Sequence, residues 1–244
     1  MVRLVLLLAV IAVAGCSPWQ GEEGARLSPE QLRAMALPLS EFGPAYASAR
    51  IAPDAGEQDA VAIIALSADP PDEAEDVQRF GKVLRYLASF TSDEAIVRAR
   101  GAFSFGSSVT LYRSEEGASG DLADHLADLK RQVSGTTDLG TLHSFAEFEV
   151  PSGKRGYGVS VRLLAQAETF GFSRPATVTV TMAGFQRGPV VGQVVVMRFG
   201  ADDVRAEVRE LARRLDRRVA AVLAGKTPEP DGLPGPGPLP SSVR

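Results

Sequence analysis

The feature that most constrains the fold is a pair of β-like segments near the C-terminal end of the chain. Residues 177–182 (TVTVTM) alternate polar and apolar side chains, which is the period of a β-strand with one face in water. Residues 189–199 (PVVGQVVVMRF) are rich in β-branched residues, and the Gly-containing segment 183–188 separates the two, which predicts a hairpin. Residues 158–164 alternate in the same way, so we expect an antiparallel sheet with a single covered face.

Helical periodicity marks the segments that would cover this sheet. In residues 202–225, apolar side chains recur at helical spacing from Val204 to Leu223, and Gly225 ends the pattern. Ser28, followed by Pro29 and Gln31, has the pattern of a capping box and predicts a first helix. Further helices are predicted at 71–82 and 117–135, and further strands at 83–90, 96–102 and 107–113.

These elements predict an α+β fold in one domain over residues 28–225. We expect a mainly antiparallel sheet of about five to seven strands, with helices packed on one face and an amphipathic C-terminal helix. About 200 residues are enough to build a core without disulfides, and the chain has one cysteine. The arginines of the last helix are predicted to form its solvent-exposed face: Arg205, Arg209, Arg213, Arg214, Arg217 and Arg218.

The single cysteine, Cys16, lies where an N-terminal apolar run ends. That run, residues 4–15, is shorter than the ~20 residues that a membrane-spanning helix needs, so residues 1–15 have the proportions of a secretory signal peptide. Val13-Ala14-Gly15-Cys16 resembles the lipobox of bacterial lipoproteins. In that family the signal is cut before the cysteine, the thiol receives diacylglycerol, and the new amine is often acylated as well, with palmitate for example.

The resemblance implies a membrane anchor on Cys16 and a domain on the extracytoplasmic side, either periplasmic or at the cell surface. Two acyl chains hold a protein stably at a membrane, whereas one chain does so only marginally. The alternative is an ordinary cleaved signal peptide with an incidental cysteine.

The segments that flank the predicted domain differ from it in composition. Residues 16–27 (CSPWQGEEGARL) are polar and are predicted to be a flexible tether between lipid and domain. Residues 226–244 hold six prolines and three glycines. Because proline removes backbone donors and favours extended chain, this segment is predicted to be a disordered tail, either a spacer or a recognition peptide.

Charge and ligand content exclude several function classes. The chain has 26 Lys and Arg against 30 Asp and Glu, a net charge of −4, and so lacks the basic footprint that nucleic acid requires. A zinc site takes three or four His, Cys or carboxylate ligands, and the two histidines do not predict one. The acidic run at residues 69–76 lacks the spacing of a calcium loop and is predicted to be the start of a helix. We expect no metal and no cofactor.

Catalytic candidates are few. His125 lies on the flank of a predicted helix, as expected of a half-exposed structural histidine. His143 precedes Ser144, but neighbours in sequence rarely reach hydrogen-bonding geometry, and there is no GxSxG motif. A hydrolase built on this pair or on scattered carboxylates is the enzymatic alternative.

Over residues 75–224 the order of segments is similar to that of PsbP-like lipoproteins and of the extracellular sensor domains of some bacterial kinases. The segments that carry the resemblance are FGKVLRYLASF, SVTLYRSEEGASGDLADHL, TVTVTMAGFQRGPVVGQVVVMRF and a closing LARRLDRRV. The resemblance implies a non-catalytic role, the binding of a small molecule or of an envelope protein, and assigns no residue a role.

We therefore interpret the chain as a membrane-anchored lipoprotein whose α+β domain binds or senses a ligand. An envelope assembly or scaffold protein that acts through protein contacts is the alternative from another class. The predicted ligand site is the uncovered face of the sheet, where these side chains would project: Ser160, Arg162, Thr177, Thr179 and Thr181.

Overall fold

The computed structural model describes residues 27–67, 69–131, 136–137, 140–165 and 175–229. The predicted signal peptide, the lipidation site Cys16 and the tail from residue 230 onward lie outside the described residues. The predictions for those segments therefore stay predictions.

The helices begin where the sequence supplies a cap. The predicted capping box is present, because the Gln31 backbone N–H donates to Ser28 Oγ at 3.3 Å and the Ser28 N–H donates to Gln31 Oε1 at 2.8 Å. Two short 3-10 turns, Leu39–Phe42 and Pro44–Tyr46, follow the first helix. The α-helices are α1 Pro29–Met35, α2 Ala60–Ala65, α3 Pro70–Phe80, α4 Glu94–Arg100, α5 Glu115–Arg131 and α6 Arg205–Leu223.

The strands of the described residues form one antiparallel sheet. They are β1 Arg50–Ile51, β2 Gly56–Asp59, β3 Lys82–Thr91, β4 Ala102–Tyr112, β5 Thr136–Thr137, β6 Gly140–Phe148, β7 Arg155–Ala165, β8 Ala176–Arg187 and β9 Val190–Phe199. The order across the sheet is β1-β3-β4-β9-β8-β7-β6-β5, and β2 pairs with β3 beside β1. Six strands have nine or more residues, so the predicted α+β class and antiparallel sheet are confirmed.

The predicted hairpin is β8–β9, and its turn is tighter than expected. Arg187 lies directly opposite Val190, so the loop is the pair Gly188-Pro189 rather than residues 183–188. Gly188 has φ 57°, a left-handed conformation that glycine adopts without steric cost. The strands are therefore longer than the alternation suggested.

Helices cover both faces of the sheet, whereas the sequence predicted helices on one face. Val190 of β9 packs in the same core cluster as Leu215 of α6. The next residue, Val191, packs in a second cluster with Leu122 of α5. Because successive strand residues point to opposite faces, α6 and α5 lie on opposite sides of the sheet. We call these sides the α6 face and the α5 face.

The strand predicted at residues 96–102 is mostly helix, because residues 96–100 belong to α4 and β4 begins only at Ala102. The Ile96 N–H donates to Asp93 Oδ1 at 2.9 Å, which caps the helix start. Gly101, with φ 67°, ends the helix in the left-handed conformation typical of a helix terminus. These local caps outweigh the β-propensity of the branched residues between them.

Candidate functional site

A cavity of about 160 Å³ lies on the α5 face, between the sheet and α5. Side chains of four strands form its floor: Arg85 of β3, Thr110 of β4, Gln193 of β9 and Tyr157 of β7. Glu73 of α3 also lines it. We call this space the polar cavity.

The strand register determines which polar side chains meet on the floor. Arg85 lies directly opposite Thr110 in the β3–β4 ladder, and Ser108 lies opposite Gln193 in the β4–β9 ladder. Thr110 and Ser108 are two residues apart and so point to the same face. Directly opposed residues have Cβ atoms about 4.5–5.5 Å apart, so these four side chains are neighbours on one surface.

Helix α5 forms the roof of the cavity. Asp121 and His125 both line the cavity, because residues four apart lie on one face of a helix. The helix begins close to the end of α3: a Cβ at Gly117 would lie 2.1 Å from the carbonyl oxygen of Phe80. Glycine at position 117 therefore permits the approach that encloses the cavity.

Lys82 is held between two carboxylates of the cavity wall. Its Nζ lies 2.8 Å from Glu73 Oε1 and 3.0 Å from Asp121 Oδ1. The Tyr112 hydroxyl donates to the other oxygen of Asp121 at 2.5 Å. Burial by itself lowers the pKa of Lys82, but the charge of Asp121 and the hydrogen bonds to both carboxylates outweigh burial and raise the pKa. Lys82 therefore carries its positive charge at neutral pH.

Arg85 is the second cation of the cavity, and its hydrogen-bond partner is neutral. Its Nε donates to Gln58 Oε1 at 2.6 Å, and Gln58 Nε2 donates to the carbonyl oxygen of Asp54 at 2.9 Å. Within the described part of the chain, no group accepts a hydrogen bond from the two Nη atoms of Arg85. Burial lowers the pKa of Arg85, but a guanidinium stays charged in proteins.

His125 and Tyr157 add two polar rings to the lining of the cavity. Their ring centroids are 6.3 Å apart, and the Tyr157 hydroxyl accepts a hydrogen bond from Gln193 Nε2 at 3.2 Å. Burial raises the pKa of Tyr157. Desolvation by the surrounding protein lowers the pKa of His125. The residue as a whole is nevertheless exposed, so its ring lies at the mouth of the cavity.

The carboxylates of the polar cavity are engaged by other groups of its wall. Asp121 has both carboxylate oxygens engaged, and Glu73 shares the same ammonium. A hydroxyl nucleophile needs a base within about 2.6–3.2 Å, and among the described residues neither Ser108 nor Thr110 is hydrogen-bonded to one.

The residues of the predicted ligand face do lie together, but on the other side of the sheet. Ser160 pairs with Thr181 and Arg162 with Thr179 across β7 and β8, and alternation adds Thr177 to the same face. That face is the α6 face, so none of the five lines the polar cavity. Ligand binding by these residues stays a prediction.

Two of the predicted ligand-face threonines are buried rather than in contact with water, and this part of the expectation is wrong. Thr181 is 0% exposed and Thr179 is 4% exposed. The Thr181 hydroxyl lies 3.2 Å from that of Ser160, and Thr179 Oγ1 donates to the Gly200 carbonyl oxygen at 2.6 Å. Hydrogen bonds within the protein take the place of water, so polar alternation does not mark a solvated face here.

The remaining candidates stay apart from the cavity. His143 and Ser144 are exposed on β6, where the pairing with β7 shifts register. Asp69 of the acidic run caps α3, accepting from the Asp72 N–H at 3.4 Å.

The described residues hold no group of three His, Cys, Asp or Glu side chains placed to bind a metal ion. No helix in the described part of the chain is long and apolar enough to cross a membrane.

Sequence reasoning did not single out the residues that build the polar cavity. Lys82 and Arg85 lie in a strand that was expected only to pack, and Asp121 lies beside the apolar Leu122. An arginine in an otherwise apolar strand is a signal for a polar site. The partner of that arginine, however, depends on strand register, which the sequence does not give.

No protein-family model matches the chain, and no curated protein matches it in sequence. Among solved structures, the chain is similar to the extracellular domain of PknH from Mycobacterium tuberculosis, with 12% identity and a TM-score of 0.48. The match covers 81% of this chain and 97% of that domain. At this degree of similarity no ligand or residue role transfers to this chain.

Proposed function

We propose that this chain is a non-catalytic ligand-binding lipoprotein whose domain lies outside the cytoplasm and whose ligand site is the polar cavity. The observation that carries the proposal is the cavity itself, with its charged and hydroxyl-bearing walls. The lipobox pattern at Cys16 supports the anchor and the location.

The free hydrogen-bonding groups of the cavity support a binding role. Ser108, Thr110 and the Nη atoms of Arg85 have no hydrogen-bond partner among the described residues, and none of these atoms is among the fully buried ones that lack a partner. Water therefore reaches them. A ligand with matching polar atoms would replace that water without loss of hydrogen bonds.

The volume of the cavity suits a small molecule. A cavity of about 150 Å³ accommodates benzene, and the polar cavity measures about 160 Å³. Sites for drug-sized ligands are typically about 300–1,000 Å³. A metabolite of a few carbon atoms therefore fits inside, and a larger ligand would extend through the open side of the cavity.

Native mass spectrometry of the full protein, purified from its own host, tests the proposal. The parent should carry a small-molecule adduct, and Ser108→Leu, which fills the cavity floor, should lose it. Thr91→Leu is the matched control, because Thr91 is exposed at the end of β3 and does not line the cavity. A parent protein without any adduct, or a folded Ser108→Leu variant that keeps it, would contradict the assignment.

A further inference from the structure

We infer that the ligand of the polar cavity carries an oxyanion, a carboxylate or a phosphate group, that binds Arg85 together with Thr110 and Ser108. This inference rests on the proposed function and names the chemistry of its ligand. It follows from the hydrogen-bond donors of the cavity, because some of them already have an acceptor within the protein and others do not.

The unused donors converge on one patch of the floor. Arg85 and Thr110 are directly opposed across β3 and β4, and Ser108 is the next residue of β4 on the same face. Within the described residues neither hydroxyl takes part in a hydrogen bond, and the Nη atoms of Arg85 have no acceptor. A guanidinium fork flanked by hydroxyls matches the geometry of a carboxylate or phosphate group.

The charge distribution favours an anion at Arg85 rather than at Lys82. Lys82 is already neutralised by Glu73 and Asp121 at 2.8 and 3.0 Å. Among the described residues Arg85 is hydrogen-bonded only to the neutral amide oxygen of Gln58, although the charges of Glu73, Asp54 and Asp121 act on it without a direct ion pair. Burial disfavours its charged form, so an anion in direct contact would stabilise it.

The opposite wall determines the rest of the ligand. Glu73 and Asp121 together carry one more negative charge than Lys82, and their charges also act on Arg85. Once an oxyanion occupies Arg85, these carboxylates would repel a second anionic group. Leu122 and Val191 add an apolar surface to the cavity. The geometry points to a ligand with one oxyanion at Arg85 and a small uncharged or cationic remainder.

Thermal unfolding of the full protein, measured with inorganic phosphate, with acetate and with chloride at matched ionic strength, tests the inference. A ligand that binds only the folded state raises the melting temperature in a saturable way. We expect such a rise with phosphate, with acetate or with both, and none with chloride. The anion that raises the melting temperature identifies whether the site recognises a phosphate or a carboxylate group.

Variants of Arg85 separate specific binding from a general salt effect. Arg85→Gln should weaken binding of the effective probe at least tenfold, and Arg85→Lys should restore part of it, because it keeps the charge without the fork. Arg98→Gln is the control and should bind as the parent does, because Arg98 is 75% exposed on α4 and pairs with Glu94.

The outcomes distinguish this inference from the proposed function. If neither probe exceeds chloride, or if a folded Arg85→Gln variant binds the effective probe as tightly as the parent, the oxyanion assignment is overturned. The cavity would still be the ligand site if the native adduct is lost in Ser108→Leu. If Ser108→Leu keeps the adduct, the proposed site itself is overturned.

Discussion

At the scale of single residues, Lys82 is the group on which the polar cavity depends most. Its side chain is 11% exposed, and those of its partners Glu73 and Asp121 are 18% and 15% exposed. Removing one member of a buried ion pair costs about 3–5 kcal/mol, because the remaining charges stay buried without compensation. Lys82→Met should therefore lower the free energy of unfolding by about that amount, measured by urea unfolding with an unchanged m value.

Lys154→Met is the matched control for that change. Lys154 is 71% exposed, and its Nζ lies 3.7 Å from Glu115 Oε2. Exposed ion pairs contribute about 0–1 kcal/mol, so this variant should unfold close to the parent. Equal losses in the two variants would show that the Lys82 cluster does not stabilise the fold.

At the scale of elements, α6 holds α1 in place through one arginine. Arg218 donates from Nη2 to the Ala34 carbonyl oxygen at 2.6 Å and from Nε to those of Met35 and Ala36 at 3.3 and 3.0 Å. Its Nη1 lies 2.6 Å from Glu41 Oε1. The last carbonyl groups of a helix lack partners within the helix, and a cation there is favourable. Arg218 therefore acts as the C-terminal cap of α1.

Replacing Arg218 by methionine should release α1 selectively. A helix of seven residues is not stable alone, so amide hydrogen exchange of residues 31–37 should accelerate far more than that of the β8–β9 hairpin. Arg213→Met is the control, because Arg213 is 43% exposed and forms an ion pair with Glu210 of its own helix. Uniform acceleration across both segments in Arg218→Met would contradict a local cap.

The helices and strands could be predicted where a short sequence pattern specifies them. Features that depend on packing between distant elements, such as the burial of a side chain, could be predicted less well. The capping box at Ser28 and the β8–β9 hairpin follow from short sequence patterns and are confirmed. The expected solvent-exposed arginine face of α6 is wrong at Arg214, which is 8% exposed, and at Arg218. On a helical wheel of α6, Arg214 and Arg218 lie next to the apolar stripe. The sequence does not show that α1 packs against this part of α6 and covers both side chains.

At the scale of the whole molecule, the polar cavity combines residues from α2, α3, β3, β4, α5, β7 and β9. Composition and spacing predicted the sheet and the helices that cover it, because each pattern depends on residues close in sequence. The cavity depends instead on the pairing of β3 with β4 and of β4 with β9, and on α5 lying across them. A shift of one residue would turn Arg85 to the other face, so the site could not be predicted without the register.

The proposed location of the whole molecule depends on Cys16, and replacing Cys16 tests the proposed anchor. Each buried methylene of an acyl chain contributes about 0.8 kcal/mol, so two or three chains hold a protein stably at a membrane. Cells that express the parent or the neighbouring control Ser17→Ala should show the protein in the membrane fraction, labelled by radioactive palmitate. Cys16→Ala should be unlabelled and absent from that fraction. A Cys16→Ala protein that stays with the membranes as the parent does would remove the lipid anchor, and the extracytoplasmic location would then depend on the signal peptide alone.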